Sequence, residues 1–276
     1  MSARRVLRAG PVSYTILVVT ALISVFPLYW TAVIASHTNN EMARTPPPFW
    51  PTGNIFHNLR LAMDQAPLTK ALVNSLIVAG CIALGTTLFC TLSGFAFAKL
   101  SFRGRRGLLA FTIATMMVPT QLGIIPLFML VAKLHWVNHL QAVILPTVVS
   151  AFGVFFMRQF LSQAVPTELL EAGWVDGAST FRIFRSIVLP IARPAMAVLG
   201  MLTFLMAWND FFWPIVALTT QNPTVQVALA GLGTGYVPQQ AVIMAGTLIG
   251  TVPVLIVFAL LGRHIVGGIM QGAIKG

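Results

Sequence analysis

ELLEAGWVDGASTFRIFRSIVLPIARP, Glu168 to Pro194, carries three of the chain's six acidic residues and four of its glycines and prolines. The sequence around it is far more apolar. Of 276 residues, 57% are hydrophobic and 8% charged, and mean hydropathy is +0.85. A soluble domain carries about a quarter charged residues, so this composition excludes an ordinary water-soluble domain. Within the stretch the punctuation is orderly. Pro166 suits a first helical turn, and Glu168 and Glu171 fall where the helix dipole favours negative charge, predicting a helix over about 166–175. Asp176-Gly177 stops it, because glycine accepts the left-handed conformation that closes a helix. Ser179 or Thr180 can cap a second helix with an apolar stripe of Phe181, Phe184, Ile187 and Val188, while Arg182 and Arg185 face elsewhere. Leu189-Pro190 is expected to end it. The product is a helix, a sharp corner and a second helix, whose apolar surface either folds back on its own neighbours or docks into a partner.

On either side lie runs of the length needed to cross a bilayer, about 20 apolar residues. Six are found: 12–35, 71–98, 108–131, 140–161, 194–219 and 241–262. The first, about two dozen residues long, exceeds the h-region of a signal peptide and is read as a retained span. The whole chain, 1–276, reads as a single transmembrane domain. Lys and Arg accumulate on cytoplasmic loops. Arg4, Arg5 and Arg8 precede span 1. Lys99, Arg103, Arg105 and Arg106 follow span 2, Arg158, Arg182, Arg185 and Arg193 surround the loop after span 4, and Arg263 and Lys275 follow span 6. The opposite side has only Arg44, Arg60, Lys70 and Lys133. Both termini are therefore expected in the cytoplasm together with the loop at about 162–193, and topology accounts for the net charge of +11 without nucleic acid. Outside, residues 36–70 form a long connection, with Trp30, Trp50 and Trp136 placed as interface aromatics.

Cys81 and Cys90 lie about 13 Å apart along one helix by its 1.5 Å rise per residue, too far for a disulfide. Prolines interrupt five spans (Pro27, Pro119 with Pro126, Pro146, Pro214, Pro253), which implies bends; these are either the ordinary tolerance of membrane helices for proline or transport hinges. Gly246 to Gly250, GTLIG, is a small-xxx-small face.

The loop carries a resemblance. Glu171-Ala172-Gly173, then Gly177, then Ile187, Leu189 and Pro190 follow the spaced signature Glu-Ala-Ala, Gly, Ile-x-Leu-Pro of membrane subunits of binding-protein-dependent ABC importers, with Gly173 where a second Ala is usual. NSLIVA (Asn74 to Ala79), GFAFAKLSFRGR (Gly94 to Arg105), VPTQLGIIPLF (Val118 to Phe128), AWNDFFWPI (Ala207 to Ile215) and the terminal GGIMQGAIKG are similar to the carbohydrate branch, specifically its maltose-type second permease. The resemblance implies an all-α, six-helix type I importer permease in the bacterial cytoplasmic membrane. It implies partners: a second permease, two ATPase subunits that hold ATP and Mg, and an extracytoplasmic solute-binding protein. It implies a sugar or sugar-like cargo, with polyols, amino sugars and glycerol-phosphate-type solutes within reach. Glu168, Glu171, Ala172, Gly173, Asp176, Gly177, Ala178, Leu189 and Pro190 would form the coupling contact with the ATPase. The carboxyl tail, with Gln271 and Lys275, would be a second contact.

No G-x-x-x-x-G-K-[ST] phosphate loop occurs, so ATP hydrolysis is expected only in a partner. Neither a cofactor nor a catalytic constellation is expected in this chain. Asp210 is the one acidic residue within a predicted span, and intramembrane charge is costly enough to suggest function. Pro214 would leave the Asp210 carbonyl unpaired. Trp208, Asn209 and Asp210 therefore either line a substrate pathway or satisfy a kink, and Asn74 and Gln121 are further pathway candidates. His135 and His139 have a zinc-pair spacing, but Trp136 replaces the glutamate of H-E-x-x-H, so no metal is expected. Two other classes remain on the residues alone. A secondary transporter would need ion-coupling charges beyond Asp210, and a polytopic membrane enzyme would turn over as an isolated chain.

Overall fold

The computed structural model describes residues 10–42, 44–234 and 238–273, with side chains through residue 260 and Gly262. Arg4, Arg5, Arg8 and Lys275 lie outside these residues, as do the side chains of Arg263 and Gln271. Every regular element among the described residues is helical. Contacts divide the chain into two compact units, residues up to Ala66 with Leu229–Thr251, and Pro67–Ala228 with the residues from Val252 onward.

The first unit opens with α1 (Pro11–Ala35), followed by α2 (Asn39–Met42) and α3 (Ile55–Gln65). α1 is apolar on all sides, continuous through Pro27, and only 6% of its most apolar window is buried. Its last carbonyls lack helical partners, as at any helix end, and the returning chain supplies them. Asn58 Nδ2 donates to the carbonyls of Ala35 and His37, both at 2.8 Å. The Thr52 amide donates to Ser36 Oγ at 2.9 Å, and the Asn54 amide to the Ser36 carbonyl at 3.3 Å. At the start of α2, the Thr38 amide donates to Glu41 Oε2 at 2.9 Å and holds that carboxyl below its ordinary range, one half of a capping box.

The second unit is built on α4 (Leu68–Lys99), then α5 (Arg105–Thr115), α6 (Ile124–Lys133), α7 (Gln141–Ile144) and α8 (Ala151–Ala164). α9 (Thr167–Val175), α10 (Thr180–Ile183), α11 (Leu189–Asn209) and α12 (Phe212–Ala217) follow; then come α13 (Val225–Leu232) and α14 (Gln240–Ala273), whose residues 229–232 and 240–251 belong to the first unit. Small residues let α8 and α11 press against α4. A Cβ at Gly94 would fall 2.7 Å from Met157 Cβ and 2.8 Å from the Arg158 amide nitrogen; one at Gly153 would fall 2.7 Å from Cys90 Sγ. Gly85 against Val148 and Gly200 against Thr87 Oγ1 extend the same close approach. The sequence reading singled out Gly246–Gly250 and missed these, because glycines on different helices make no local pattern.

Among the described residues, four helices are long and apolar enough to cross a membrane: Pro11–Ala35, Leu68–Lys99, Thr180–Asn209 and Gln240–Leu260. Two further candidates are bent pairs. α5 meets Thr120–Lys133 at 92°, across a break that includes Pro119, and Gln141–Thr147 meets α8 at 42°, just beyond Pro146. Pro253, like Pro27, sits inside a continuous helix.

Two expectations need correction. The helix after the glycine corner does not end at Leu189-Pro190. Phe184–Val188 form a π turn, in which the Leu189 amide reaches back five residues to the Phe184 carbonyl, and α11 continues through the proline. The wider turn leaves room for the proline ring against the preceding carbonyls. The fifth apolar run, read as 194–219, is helical from Thr180 and stops at Asn209. Pro214 lies in the first turn of α12, where its missing amide costs little, so it does not strip a partner from Asp210 within one continuous helix.

Candidate functional site

α9 and the corner after it form a rigid knob. The Ala178 amide donates to the Gly173 carbonyl at 2.9 Å and the Gly177 amide to the Trp174 carbonyl at 3.0 Å, with Gly177 at φ +75°. These two bonds are a Schellman closure, which consumes the carbonyls that would otherwise be free. Ser179 Oγ accepts the Arg182 amide at 3.3 Å and starts the next helix. Leu170, Ile183, Phe184 and Val188 are buried with Phe95, Met157 and Leu161, joined by half-buried Ala178, Ile187 and Leu189. Gly173 lies over Ile183. Phe181, expected in the apolar stripe, is 69% exposed, and its place inside is taken by Ile183.

The knob therefore folds onto its own core with one face and leaves the other open. Glu168, Glu171, Ala172, Asp176, Gly177 and Pro190 are exposed. Among them stand Leu169 at 45% and Val175 at 86% exposure. An acidic rim thus surrounds exposed aliphatic side chains on a helix braced from behind.

The pathway candidates do not form one cluster. Gln121 is exposed in the 3-10 turn Thr120–Gly123, beside the 92° break. Trp208 is 1% exposed and stacks on Phe204 with ring centroids 5.7 Å apart. Asn209 is exposed, with Nδ2 bonded to the Leu205 carbonyl at 2.8 Å. Asp210 has left the helix (ψ 121°), and its Oδ1 accepts the Phe212 amide, the first of α12, at 3.1 Å. Asn74 is buried. Its Nδ2 donates to Asn222 Oδ1 at 3.0 Å and to the Pro223 carbonyl at 2.9 Å.

That last contact belongs to a polar clamp the sequence reading missed. Asn222 Nδ2 donates to the Asn138 carbonyl at 3.0 Å, Asn138 Oδ1 accepts from Thr219 Oγ1 at 2.8 Å, and Lys70 Nζ reaches the Gln221 carbonyl at 2.7 Å. Ser75 Oγ accepts the Val225 amide at 2.8 Å. Asn138 sits at φ 62°, a conformation asparagine tolerates. His135 also has positive φ, and His139 Nδ1 is engaged with the Val137 carbonyl at 3.0 Å.

Long apolar helices, two bent pairs and a braced helical knob define a helical membrane protein. Residues 90–270 match the family of binding-protein-dependent transport system inner membrane components. The chain belongs to that family, as a permease component of the inner membrane. It is 31% identical over 265 residues to the lactose transport system permease protein of Rhizobium radiobacter, covering 96% of each chain. It is 32% identical to the arabinooligosaccharides transport system permease protein of Halalkalibacterium halodurans, covering 93% of each. With the sn-glycerol-3-phosphate transport system permease protein of Salmonella typhi it shares 30% identity, covering 94% of this chain and 95% of that one. A bacterial ABC transporter involved in import of the acidic polysaccharide alginate has a chain of the same fold, with TM-score 0.79 at 20% identity over 95% of this chain and 98% of that one.

Proposed function

We propose that this permease spans the membrane six times with both termini in the cytoplasm, each bent pair counting as one span, and that 1–276 acts as a single permease domain. It pairs with a second permease, two ATPase subunits and an extracytoplasmic binding protein that delivers a sugar or sugar-like solute. ATP and Mg reside on the ATPase subunits, and this chain carries no cofactor. The observation that carries the reading is the open face of α9. Glu168, Glu171, Ala172, Val175 and Asp176 point away from a core that holds Leu170 and Gly173 in place. Force applied to that face is passed to the packed ends of α4, α8 and α11 instead of being lost in a flexible loop. ATP-driven closure of the ATPase dimer then biases the permease between inward-open and outward-open states, by as much as its contact energies differ between the two.

Gln121, beside the 92° break, and Asn209 and Asp210, at the break before α12, offer polar groups to the cargo. Asn74 and Trp208 support the pathway from behind. Gln271 and Lys275 of the carboxyl tail provide a second ATPase contact. Reconstitution tests the whole reading. Uptake of labelled sugars into proteoliposomes should require ATP, the ATPase and the binding protein, and the purified chain alone should hydrolyse no ATP. Uptake without the ATPase, or hydrolysis by the isolated chain, overturns it.

A further inference from the structure

We infer that Pro46–Trp50 is a strap that re-enters the membrane interface beside α1, with Trp50 seated among lipid headgroups at the carboxyl end of that helix. The strap is fastened to α1 at two depths. At the top, Thr52 and Asn54 bond to Ser36 and Asn58 bonds to the carbonyls of Ala35 and His37, as described above. Lower down, Tyr29 Oη donates to the Phe49 carbonyl, and the Phe49 ring meets Trp30 at 5.5 Å between centroids. Trp30 in turn stacks on Phe26 at 6.0 Å. Trp30 lies five residues before the end of α1, roughly 8 Å back along the axis at 1.5 Å per residue. The chain thus leaves the top of α1, runs back down its flank to Phe49, and climbs again to Thr52.

The depth of that dip follows from the length of α1. Its 25 residues make a rod about 37 Å long against a hydrocarbon core of about 30 Å, so each end rises only a few ångström into the headgroup layer. Trp30, and Phe49 against it, fall close to the boundary between hydrocarbon and headgroups. Trp50 is next in the chain and 78% exposed, beside a helix with hardly any protein cover. An indole prefers that boundary, where its ring is in apolar surroundings and its N–H reaches water or ester oxygens. The occupant is lipid because the strap is continuous with a helix surface whose length and apolarity already require lipid. The inference rests on α1 being a span and not on the importer reading.

The test uses the importer in nanodiscs of phosphatidylethanolamine and phosphatidylglycerol, with a bimane label at Trp50→Cys in a Cys81→Ser background; Cys90 is buried. Nitroxide carried near the lipid glycerol should quench the label several-fold more than aqueous iodide. Phe49→Ala should free the strap and reverse that preference while the label stays attached. Quenching by iodide alone would place Trp50 in water, and quenching by neither would place it under protein; either result overturns the proposal. Uptake assays on the same samples report separately on transport.

Discussion

Gly173 on α9 faces Ile183 across the Gly177 corner so closely that a Cβ there would stand 3.1 Å from Ile183 Cγ1 and 3.2 Å from its Cδ1. A second alanine at this place, usual in the loop signature, regains about 1 kcal/mol of helix propensity but must shift a buried isoleucine by a few tenths of an ångström. The two effects oppose each other. Gly173→Ala is therefore expected within about 1 kcal/mol of the parent in thermal unfolding, with ATPase retention unchanged, whereas Gly173→Leu should lose about 1–3 kcal/mol through overpacking. A strongly destabilised alanine variant would mean that Ile183 cannot yield.

At Gly177 the obstacle is conformation, because nothing lies within 4 Å of a built Cβ while φ is +75°. An L-residue there costs about 1–2 kcal/mol, least for asparagine. Gly177→Asn should keep most uptake, and Gly177→Val should lose much of it and loosen the Schellman corner, visible as faster amide exchange at Gly177 and Ala178. Equal behaviour of the two variants would remove the corner from the coupling argument.

Glu171 is exposed on the braced face, so reversing its charge should leave folding within about 0.5 kcal/mol. It should weaken ATPase association by roughly tenfold, equivalent to about 1.4 kcal/mol, with a parallel loss of uptake. The deficit should shrink at high salt if it is electrostatic. Normal association and uptake with Glu171→Lys would show that this face is not the docking surface.

The close approach of α4 and α8 predicts different rescues. Gly153→Ala meets a side-chain sulfur, Cys90 Sγ at 2.7 Å, so Cys90→Ala should relieve part of the damage. Gly94→Ala meets the Met157 carbonyl carbon at 2.9 Å and the Arg158 nitrogen. Backbone cannot be trimmed, so no side-chain substitution should restore it. Each single change is expected to cost about 1–3 kcal/mol, read as thermal unfolding in nanodiscs.

These contacts mark what was legible beforehand. Local signals were enough for α9, whose predicted 166–175 is observed as Thr167–Val175, and for the corner at Gly177. The apolar runs located the long helices of the fold. The continuation of the helix through Leu189-Pro190 was hidden because the π turn is a response to packing around Phe184 and Val188, which no propensity of FRSIV encodes. The break at Asp210 was hidden for another reason. Its carboxylate accepts the Phe212 amide, and a run of apolar residues looks the same whether continuous or interrupted. Asn74 looked like a pathway residue because polarity within a span suggests function; its partners are about 150 residues away in sequence.

Asn222 joins both sides of the clamp, accepting from Asn74 through Oδ1 and donating to the Asn138 carbonyl through Nδ2. Asn74→Ala would leave Asn222 Oδ1 and the Pro223 carbonyl without their donor at a site only 6% exposed. A loss of about 1–3 kcal/mol is expected for such orphaned groups. Asn222→Ala removes the same Asn74 contact together with the Asn138 one, so the double variant should be less damaging than the sum of the singles, with a coupling of at least about 0.5 kcal/mol. Asn222→Asp is the sharper probe. It keeps an acceptor for Asn74 but sets a carboxylate against the Asn138 carbonyl, and should be worse than alanine at neutral pH. Additive singles, or an aspartate variant as stable as the parent, would mean that the 217–225 loop is held by its packing and not by this pair of amide contacts.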